Sequence, residues 1–433
     1  MKAVILAAGK GTRLHPITLT RPKHLVPVGG KPIIDHVLTS IKQAGLNEAV
    51  FVVNYMSEQL QQYLGDGSKY QMKFTYVIQE QLKGTADATR YAEPYVEKSF
   101  FLSYGDWLTT TKAVKRILQT HKEEKPLITM AVVPVKNPEH YGIVELEDSR
   151  VKGIIEKPNR EEAPTNLANA GIYVLSNEIF EAIKRTKQSP RGELEITDSL
   201  SLLLEEGHEI TAAKLPSNEI FDVGLLWDLF EANRWILEKI KPQREGQIED
   251  GTHLIGAVVV EDGARIRSGT YVEGPTFIGR DSDIGPNCYI RPYTSIGQRV
   301  RIGNACEIKN SIIMDKTHIG HLSYLGDSVI GENCNFGAGT IIANYRFDGK
   351  PIKMKIKDRI LCSGRKKLGV VLGDDVKTGI NASFMPGVKV GNNCWIGPNV
   401  LISRDIPPNT TVLLRQEHEV RKNSERTSEY QKS

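Results

Sequence analysis

Residues 254–308 read LIGAVVVEDGARIRSGTYVEGPTFIGRDSDIGPNCYIRPYTSIGQRVRIGNACEI, with an aliphatic residue at every sixth position. The repeating positions are Leu254, Val260, Ile266, Val272, Ile278, Ile284, Ile290, Ile296, Ile302 and Ile308. A period of six matches neither a helix, which repeats about every 3.6 residues, nor a strand, which repeats about every 2. It is typical of a hexapeptide solenoid, in which three short strands and three turns make each coil and the aliphatic side chains stack in a prism-shaped core.

The repeat extends well beyond this stretch. After two one-residue shifts it continues through Ile313, Ile319, Leu325, Ile330, Phe336 and Ile342, and after an interruption it returns at Leu372, Val390, Ile396 and Ile402. Four of the five cysteines (Cys288, Cys306, Cys334 and Cys394) lie four residues after an aliphatic position. That slot takes a small residue, so we predict that these cysteines pack as small hydrophobes. The chain has no C-x-x-C pair, so neither disulfides nor zinc are expected.

The amino-terminal half has a different pattern. Residues 1–225 alternate short aliphatic runs, such as AVILAAG, EAVFVVN, FTYVIQE, SFFLSYGD, ITMAVVPV, GIYVLS and ITAAKLP, with amphipathic helical stretches. This alternation predicts an α/β domain with a largely parallel sheet, whose ligands lie at the carboxyl ends of the strands. We expect this domain at residues 1–228, a connecting helix and linker at 229–250, the solenoid at 251–412 and a tail at 413–433.

Composition limits the classes of partner. A net charge of +4, 40% hydrophobic residues and no basic–aromatic stripe argue against nucleic acid and favour small anionic substrates. No apolar run approaches the ~20 residues of a membrane span, and the start lacks signal-peptide geometry. We therefore expect a cytoplasmic protein without a membrane partner.

A candidate phosphate-binding loop lies near the start of the chain. Residues 6–14, LAAGKGTRL, follow the first predicted strand and precede Lys23. Gly9 and Gly11 allow the backbone to approach phosphates closely, while Arg13 and Lys23 carry charge that matches a polyanion. Glycine spacing alone fits a tight strand-to-helix turn equally well.

Together with later motifs, this loop resembles the signature of sugar-1-phosphate nucleotidylyltransferases. The motifs are QEQLKGTADA at 79–88, YGD at 104–106, YG at 141–142, EKP at 156–158, NAG at 169–171 and DVG at 222–224. The resemblance implies that Arg13 and Lys23 serve as catalytic groups, with Lys23 at the transferring phosphate. It implies Mg²⁺ held by Asp106 and Asp222, a nucleotide site at Leu6, Ala8, Gly9, Gly11, Thr12, Gln79, Gly84 and Thr85, and a sugar-phosphate site at Gly142, Glu156, Lys157 and Asn169.

A second resemblance lies in the solenoid. The segments GHLSYLGD (320–327), NFGAG (335–339) and NY (344–345) resemble the acetyltransferase half of bifunctional glucosamine-1-phosphate acetyltransferase/N-acetylglucosamine-1-phosphate uridylyltransferases. The resemblance implies His321 as the general base, which an imidazole suits because its unperturbed pKa is near ~6.5. It assigns Arg291 and Lys309 to the sugar phosphate, Tyr324, Asn335 and Asn344 to the sugar, and Ala338 to acetyl-CoA. It also implies a homotrimer with acetyl-CoA between subunits.

The chain departs from this family pattern in two places. Ile380 and Pro398 stand where the family has small residues that contact CoA. The insertion from 345 to 368 carries lysines at 350, 353, 355 and 357. We include Tyr345, Lys350 and Lys353 in the acetyl-transfer site, where the lysines would meet a phosphate or the CoA pyrophosphate; a solvated basic loop is an equal alternative.

The predicted fold is therefore an α/β Rossmann-like nucleotidyltransferase domain followed by a left-handed parallel β-helix. The function that the resemblances imply is acetylation of glucosamine 1-phosphate and Mg²⁺-dependent transfer from UTP to the acetylated product. The sequence leaves open UTP against dTTP, and glucosamine against galactosamine 1-phosphate.

Three alternatives were weighed against this function. A nucleotidylyltransferase for glucose or mannose 1-phosphate, with a merely regulatory or oligomerising β-helix, would not need the His321 motif. A regulatory subunit would not need Lys23 and Asp106. A zinc hydratase on the solenoid would need three convergent histidines, whereas only His318 and His321 lie near each other in the repeats.

Overall fold

The computed structural model describes residues 1–420. Most of the tail predicted at 413–433, including the basic segment RKNSERTSEYQKS that we expected to be disordered, lies outside the described residues. Within the described part of the chain, no helix has the length and apolarity needed to cross a membrane.

The amino-terminal domain is built on one nine-stranded sheet. In spatial order its strands are Lys73–Ile78, Glu48–Val53, Ala3–Ala7, Ser99–Tyr104, Leu167–Ser176, Ile128–Pro134, Ile210–Lys214, Arg150–Glu156 and Gly142–Glu147. Two small ribbons, Trp107–Thr109 with Ile220–Asp222 and Pro27–Val28 with Lys31–Pro32, complete the strands.

The helices of this domain pack on both faces of the sheet. The α-helices are Ile33–Gln43, Ser57–Leu64, Thr85–Arg90, Thr111–Glu124, Ile179–Arg185, Ile196–Glu205 and Asp228–Leu237. Short 3-10 turns occur at Thr12–Leu14, Ile17–Leu19, Lys23–Leu25, Ser68–Tyr70, Glu93–Tyr95 and Pro138–His140. Because the central strand Ala3–Ala7 is buried along its whole length, apolar layers lie on each side of the sheet.

The sheet is mixed: its central strands pair in parallel, as expected, and antiparallel strands extend it on one side. Ala3–Ala7 pairs in parallel with both neighbours, but Leu167–Ser176 runs antiparallel to the strands beside it. Parallel pairing of Ala3–Ala7 with Ser99–Tyr104 brings the loop at 8–13 and Asp106 to the same edge of the sheet. The predicted α/β class is confirmed, and the candidate phosphate loop lies where parallel strands end.

The carboxy-terminal domain is a three-sided solenoid. Its first face contains Gln243–Arg244, Val258–Val260, Thr276–Ile278, Thr294–Ile296, Ile312–Ile313, Val329–Ile330, Val371–Leu372 and Lys389–Val390. Its second face contains Gln247–Ile248, Arg265–Ile266, Asp283–Ile284, Arg301–Ile302, His318–Ile319, Asn335–Phe336, Lys377–Thr378, Trp395–Ile396 and Thr411–Val412. Its third face contains His253–Ile255, Tyr271–Glu273, Tyr289–Ile290, Glu307–Lys309, Tyr324–Gly326, Ile341–Ile342, Ser383–Phe384 and Leu401–Ile402.

The strand register confirms the six-residue repeat. Val260 pairs with Ile278 and Ile266 with Ile284, so three hexads complete one coil and equivalent side chains stack. Thr378 and Phe384 occupy the buried slots that the aliphatic pattern skips. The solenoid begins at Gln243, inside the segment predicted as linker.

The cysteines follow the prediction made for them. Cys288, Cys306, Cys334 and Cys394 are free and buried in the solenoid core. Cys362, which lies in the insertion, is exposed.

The two domains share a packed interface. Nη2 of Arg21 lies 2.5 Å from Oδ2 of Asp374 across the interface, and both side chains are largely buried. Asn233, on the connecting helix, accepts a hydrogen bond from the backbone of Gly29 and donates one to the carbonyl of Tyr293. The nucleotidyl half and the solenoid are therefore held in one orientation by buried polar contacts.

The insertion at 345–368 forms a β-hairpin of Lys353–Ile356 and Arg359–Cys362, which we call the insertion hairpin. Ile352, Met354 and Ile356 are buried in the same apolar cluster as the amino-terminal domain. The insertion is therefore a packed hairpin rather than an open loop, while its lysines at 350, 353, 355 and 357 are exposed, as in a solvated basic segment.

Candidate active sites

A cavity of about 540 Å³ lies at the carboxyl ends of the central parallel strands. The predicted residues that line it are Leu6, Ala8, Gly9, Gly11, Thr12, Arg13, Lys23, Gln79, Gly84, Thr85 and Asp106. Gly11 has φ +62°, and a Cβ there would lie 3.1 Å from Cβ of Lys23, so the loop can pass this close to Lys23 only without a side chain. The structure thus brings the residues assigned to the nucleotide into one site.

Lys23 and Asp106 form the charged centre of this cavity. Nζ of Lys23 lies 2.5 Å from Oδ2 of Asp106, and Lys23 is only 6% exposed. Burial by itself would raise the pKa of Asp106, but the Lys23 ammonium outweighs burial and holds that pKa below its usual value. Asp106 is therefore an anion at neutral pH.

His24 lies beneath this ion pair and was not predicted from the sequence. Burial, opposed by Asp106 and reinforced by Lys23, lowers the pKa of His24 to about 4. The imidazole is neutral at pH 7, and its Nδ1 has no hydrogen-bond partner among the described residues. The sequence signal was weak, because a histidine that follows a lysine in a loop has no characteristic spacing.

A second cavity, of about 920 Å³, adjoins the first. Arg13, Gly224 and Lys357 line both cavities, while Tyr141, Lys157 and Asp222 line the second. A Cβ built on Gly224 would lie 3.2 Å from Oδ2 of Asp222 and 3.7 Å from Nη1 of Arg13. Glycine at 224 therefore leaves open the space on which these two charged groups converge.

Three carboxylates lie around this junction. Burial raises the pKa of Asp222, with Lys23 opposing the shift and Asp106 reinforcing it. Asp228 was not predicted from the sequence; it accepts hydrogen bonds from the backbone N–H groups of Gly224 and Leu225 at 3.0 and 2.6 Å, and burial raises its pKa to about 6. Carboxylates that disfavour each other's charge are a suitable environment for a divalent cation, and oxygen donors are what Mg²⁺ prefers. Asp106 and Asp222 supply carboxylate oxygens of the kind that Mg²⁺ prefers, although no group of three or more metal-ligating side chains comes together within residues 1–420.

The predicted sugar residues also lie together. A Cβ on Gly142 would come within 2.8 Å of Oε2 of Glu156 and 3.8 Å of Cβ of Asn169. The amide of Asn169 is buried and donates to the hydroxyl of Tyr173 at 2.6 Å. Lys157 follows the strand that ends at Glu156 and lines the larger cavity.

On the solenoid, three predicted residues (Lys309, Tyr324 and Asn344) meet around a buried carboxylate, and a fourth, Arg291, lies one coil away. Asp327 is 2% exposed; it accepts hydrogen bonds from Nζ of Lys309 at 3.0 Å and from the amide of Asn344 at 2.6 Å. The same amide donates to the hydroxyl of Tyr324 at 3.0 Å. Arg291 stacks one coil away from Lys309 along this face and lines a cavity of about 290 Å³ with it. Asp327 thus orients Lys309 and Asn344, and Asn344 in turn holds the hydroxyl of Tyr324.

His321 lies at the corner between the second and third faces. Its side chain is exposed, and its carbonyl accepts a hydrogen bond from Gly339, beside Ala338, on the next coil. The carbonyl of Ala338 in turn accepts from Asn381, next to Ile380. One column along the corner therefore contains His321, the predicted base, Ala338, the predicted acetyl-CoA residue, and Ile380, which replaces a small residue of the family.

Other predicted residues lie apart from this column. Asn335 is exposed on the second face, next to His318 of the preceding coil, rather than on the third face with Tyr324. In the insertion, Tyr345, Lys350 and Lys353 are exposed, and none of them lines the cavity that contains Arg291 and Lys309.

Arg365, also in the insertion, lines that cavity and pairs with Glu231 of the connecting helix. Sequence reasoning missed Arg365 because its position depends on how the insertion folds. Lys357 was noted only as part of a basic run, for the same reason.

The two sites define a class: a nucleotidyltransferase domain joined to a hexapeptide-repeat transferase domain. Comparison with known families agrees, since residues 2–239 match the nucleotidyl transferase family, 369–404 the bacterial transferase hexapeptide repeats and 272–384 the GMPPB C-terminal domain. UDP-glucose pyrophosphorylase, solved with UDP-glucose, superposes on 55% of this chain and 98% of its own with a TM-score of 0.50 and 28% identity.

Relatives that match both domains identify the family. "Bifunctional protein GlmU" of Methanocaldococcus jannaschii is 45% identical over 96% of this chain and 98% of its own length. The bifunctional sugar-1-phosphate nucleotidylyltransferase/acetyltransferase of Sulfurisphaera tokodaii is 40% identical over 94% and 98%. The chain belongs to this family of bifunctional sugar-1-phosphate nucleotidylyltransferase/acetyltransferases, and it is an enzyme with both transferase activities. The single-activity and regulatory alternatives are correspondingly disfavoured.

Proposed function

We propose that the chain acetylates glucosamine 1-phosphate with acetyl-CoA at the solenoid and couples the product to UTP in the amino-terminal domain, forming UDP-N-acetylglucosamine and pyrophosphate. The observation that carries this proposal is the presence of two separate sites in one chain. One is a cavity of about 540 Å³ around Lys23 and Asp106, and the other is a polar cluster organised by Asp327 beside an exposed histidine.

In nucleotidyl transfer the main obstacle is repulsion between anions. The sugar phosphate attacks the α-phosphate of the nucleotide, so the protein has to position the reactants and neutralise charge rather than form a covalent intermediate. Arg13 and Lys23 supply fixed positive charge, and the glycine-rich loop presents its backbone N–H groups to the phosphates. Asp106 and Asp222 would hold Mg²⁺, which supplies further neutralisation of the phosphates when bound.

In acetyl transfer the required steps are proton removal and positioning. His321 takes the proton from the sugar amine as the nitrogen attacks the thioester carbonyl of acetyl-CoA. The C–S bond then breaks, and the CoA sulfur leaves and takes up a proton from the imidazolium, so the products are the amide and CoA. Arg291 and Lys309 bind the sugar phosphate, while Tyr324 and Asn344 hold the sugar. Asp327 contacts no substrate in this scheme; it orients Lys309 and Asn344.

We further propose that the enzyme is a cytoplasmic homotrimer. Large apolar side chains are exposed along the second and third faces on either side of the His321 corner: Leu322, Ile341, Ile380, Trp395 and Leu401. An exposed apolar surface of this kind is typical of a subunit interface. A neighbouring subunit there would bring Asn335 of one copy toward the site of another and enclose acetyl-CoA at the corner.

The test incubates purified protein with Mg²⁺, acetyl-CoA, glucosamine or galactosamine 1-phosphate, and UTP or dTTP, and separates the products by chromatography. A thiol reagent is unsuitable for detecting CoA because the exposed Cys362 would react with it. We expect acetylated sugar phosphate and UDP-sugar to form. His321→Ala should lose acetylation but still form UDP-sugar when N-acetylglucosamine 1-phosphate is supplied, whereas Asp106→Asn should acetylate normally and form no UDP-sugar.

Matched controls separate chemistry from folding. His318→Ala removes an exposed histidine three residues away on the second face, and Asp148→Asn removes an exposed turn carboxylate of the amino-terminal domain. Acetyl transfer that survives His321→Ala would refute the assigned base. Pyrophosphate release that survives Asp106→Asn would refute the assigned metal ligand.

A further inference from the structure

The insertion hairpin is a fixed element that reaches from one domain to the other. At its base, the backbone of Leu368 donates to the carbonyl of Asn344, the residue that contacts Asp327 in the acetyl-transfer cluster. Along its length, residues alternate between exposed lysines and buried apolar side chains, and the apolar ones pack in the core cluster of the amino-terminal domain. Its position is therefore determined by packing on both halves of the chain.

The turn of the hairpin lies at the junction of the two nucleotidyl-site cavities. Lys357 is at this turn with φ +52°, and it lines both the 540 Å³ and the 920 Å³ cavity. The other residues shared by the two cavities are Arg13 and Gly224. Of the predicted sugar-phosphate residues Lys157 lines the larger cavity, so Lys357 lies between the nucleotide cavity and a cavity that a sugar phosphate could reach.

Lys357 is available to bind an anion. Its side chain is exposed, and no carboxylate oxygen among residues 1–420 lies within 4.0 Å of its ammonium. The pKa of His15 is lowered mainly by burial, next by the charge of Lys389 and then by the charge of Lys357. The Lys357 ammonium therefore lies near the amino-terminal domain. Asp106 lines the smaller cavity, and Asp222 and Asp228 line the larger one. Phosphates bound beside these carboxylates would be stabilised by an additional cation.

We propose that Lys357 binds substrate phosphate in the nucleotidyl site, so that the insertion of the acetyltransferase domain completes the active site of the other domain. This inference rests on the proposed nucleotidyl transfer and adds to it a phosphate-binding residue supplied from outside the catalytic domain. The ligand chemistry is the phosphate chain of the nucleoside triphosphate where it meets the sugar 1-phosphate.

The test compares Lys357→Met with Lys355→Met and Lys357→Arg. Lys355 is exposed on the same strand two residues away and lines neither cavity, so its loss controls for charge and hairpin stability. We expect Lys357→Met to weaken UTP binding about tenfold, as loss of one phosphate contact worth roughly 1.4 kcal/mol would, and to raise the KM for UTP or sugar phosphate accordingly. Lys357→Arg should retain most of the affinity, and acetyl transfer should be unchanged in all three variants.

A second readout does not depend on turnover. Cys362 is exposed and lines the larger cavity, so bound UTP or sugar phosphate should slow its alkylation. In Lys357→Met the same protection should require about ten times more ligand. Binding and KM values within twofold of those of Lys355→Met, for UTP and for the sugar phosphate, would overturn the inference. Wild-type protein that transfers no nucleotide would instead overturn the proposed function.

Discussion

The stability of the amino-terminal domain should depend on the protonation of His24. This imidazole is 4% exposed and packs against Gly105, where a Cβ would lie 2.8 Å from its Cδ2. Burial, with the neighbouring Lys23 charge, lowers its pKa from 6.5 to about 4, although Asp106 opposes the shift. Protonation in the folded protein would place a second cation beside Lys23 in a buried position.

The free energy of unfolding should fall as the pH is lowered, because the unfolded chain binds a proton at His24 more readily than the folded chain does. The unfolded chain binds a proton at His24 near pH 6.5 and the folded chain only near pH 4, so the stabilisation from the neutral imidazole is present above 6.5 and is lost as the pH falls toward 4. The full difference of 2.5 pKa units corresponds to about 3.4 kcal/mol. Between about pH 7.5 and about pH 5, the loss of unfolding free energy from this group alone is about 2 kcal/mol.

Urea unfolding at the two pH values measures this loss. Three of the four tryptophans (Trp107, Trp227 and Trp235) belong to the amino-terminal domain, so fluorescence reports mainly on that domain. In His24→Gln the loss of unfolding free energy between the two pH values should be smaller than in wild type by about 2 kcal/mol. His208 is an exposed histidine of the same domain, so His208→Gln should behave as wild type. If His24→Gln loses as much stability as wild type between the two pH values, the assigned neutral imidazole is wrong.

Three further predictions concern the interface, the thiols and the solenoid site. Asp374→Ala removes the nearer carboxylate of the buried Arg21 guanidinium and leaves it only Glu332 at 3.5 Å, so it should lower the free energy of unfolding by about 3 kcal/mol in urea melts, whereas the exposed Asp250→Ala should have no effect. A thiol reagent should modify one cysteine per native chain, Cys362, and five after denaturation, because the other four are buried; two or more fast-reacting thiols in the native chain would contradict the buried core. Asp327→Asn should lower acetyl transfer at least about tenfold, since it loosens Lys309, and leave nucleotidyl transfer unchanged; an equal fall in both activities would indicate a folding defect instead.

Much of the fold and part of the sites were predictable because their signals are local. The six-residue period encodes a coil directly, since each aliphatic residue meets its equivalent one coil away whatever the rest of the chain does. The glycine-rich loop follows a buried strand, so its location at the sheet edge also follows from local order. The mixed direction of the sheet was less accessible, because Leu167–Ser176 reads as a strand without revealing whether its neighbours run with it or against it.

The residues that sequence reasoning missed are those placed by distant packing. His24 is buried in part because Gly105, far away in the sequence, packs against its ring. Asp228 is fixed in the site because its carboxylate accepts hydrogen bonds from the backbone N–H groups of residues 224 and 225. Arg365 belongs to the solenoid site because it lines the same cavity as Arg291, and no local sequence motif links the two residues.

The sequence by itself determined the two architectures, their order and the loop, strand-end and corner residues that carry the chemistry. Periodicity and turn residues act over a few positions, and that range is sufficient for these features. Only the tertiary structure decided that Arg21 meets Asp374, 353 positions away, and that the strand KMKI leads Lys357 into the site of the other domain. The apolar face of the hairpin packs against surfaces that are formed by remote parts of the chain. The alternation of residues within the hairpin predicts that one face is apolar, but it does not show which surface that face will contact.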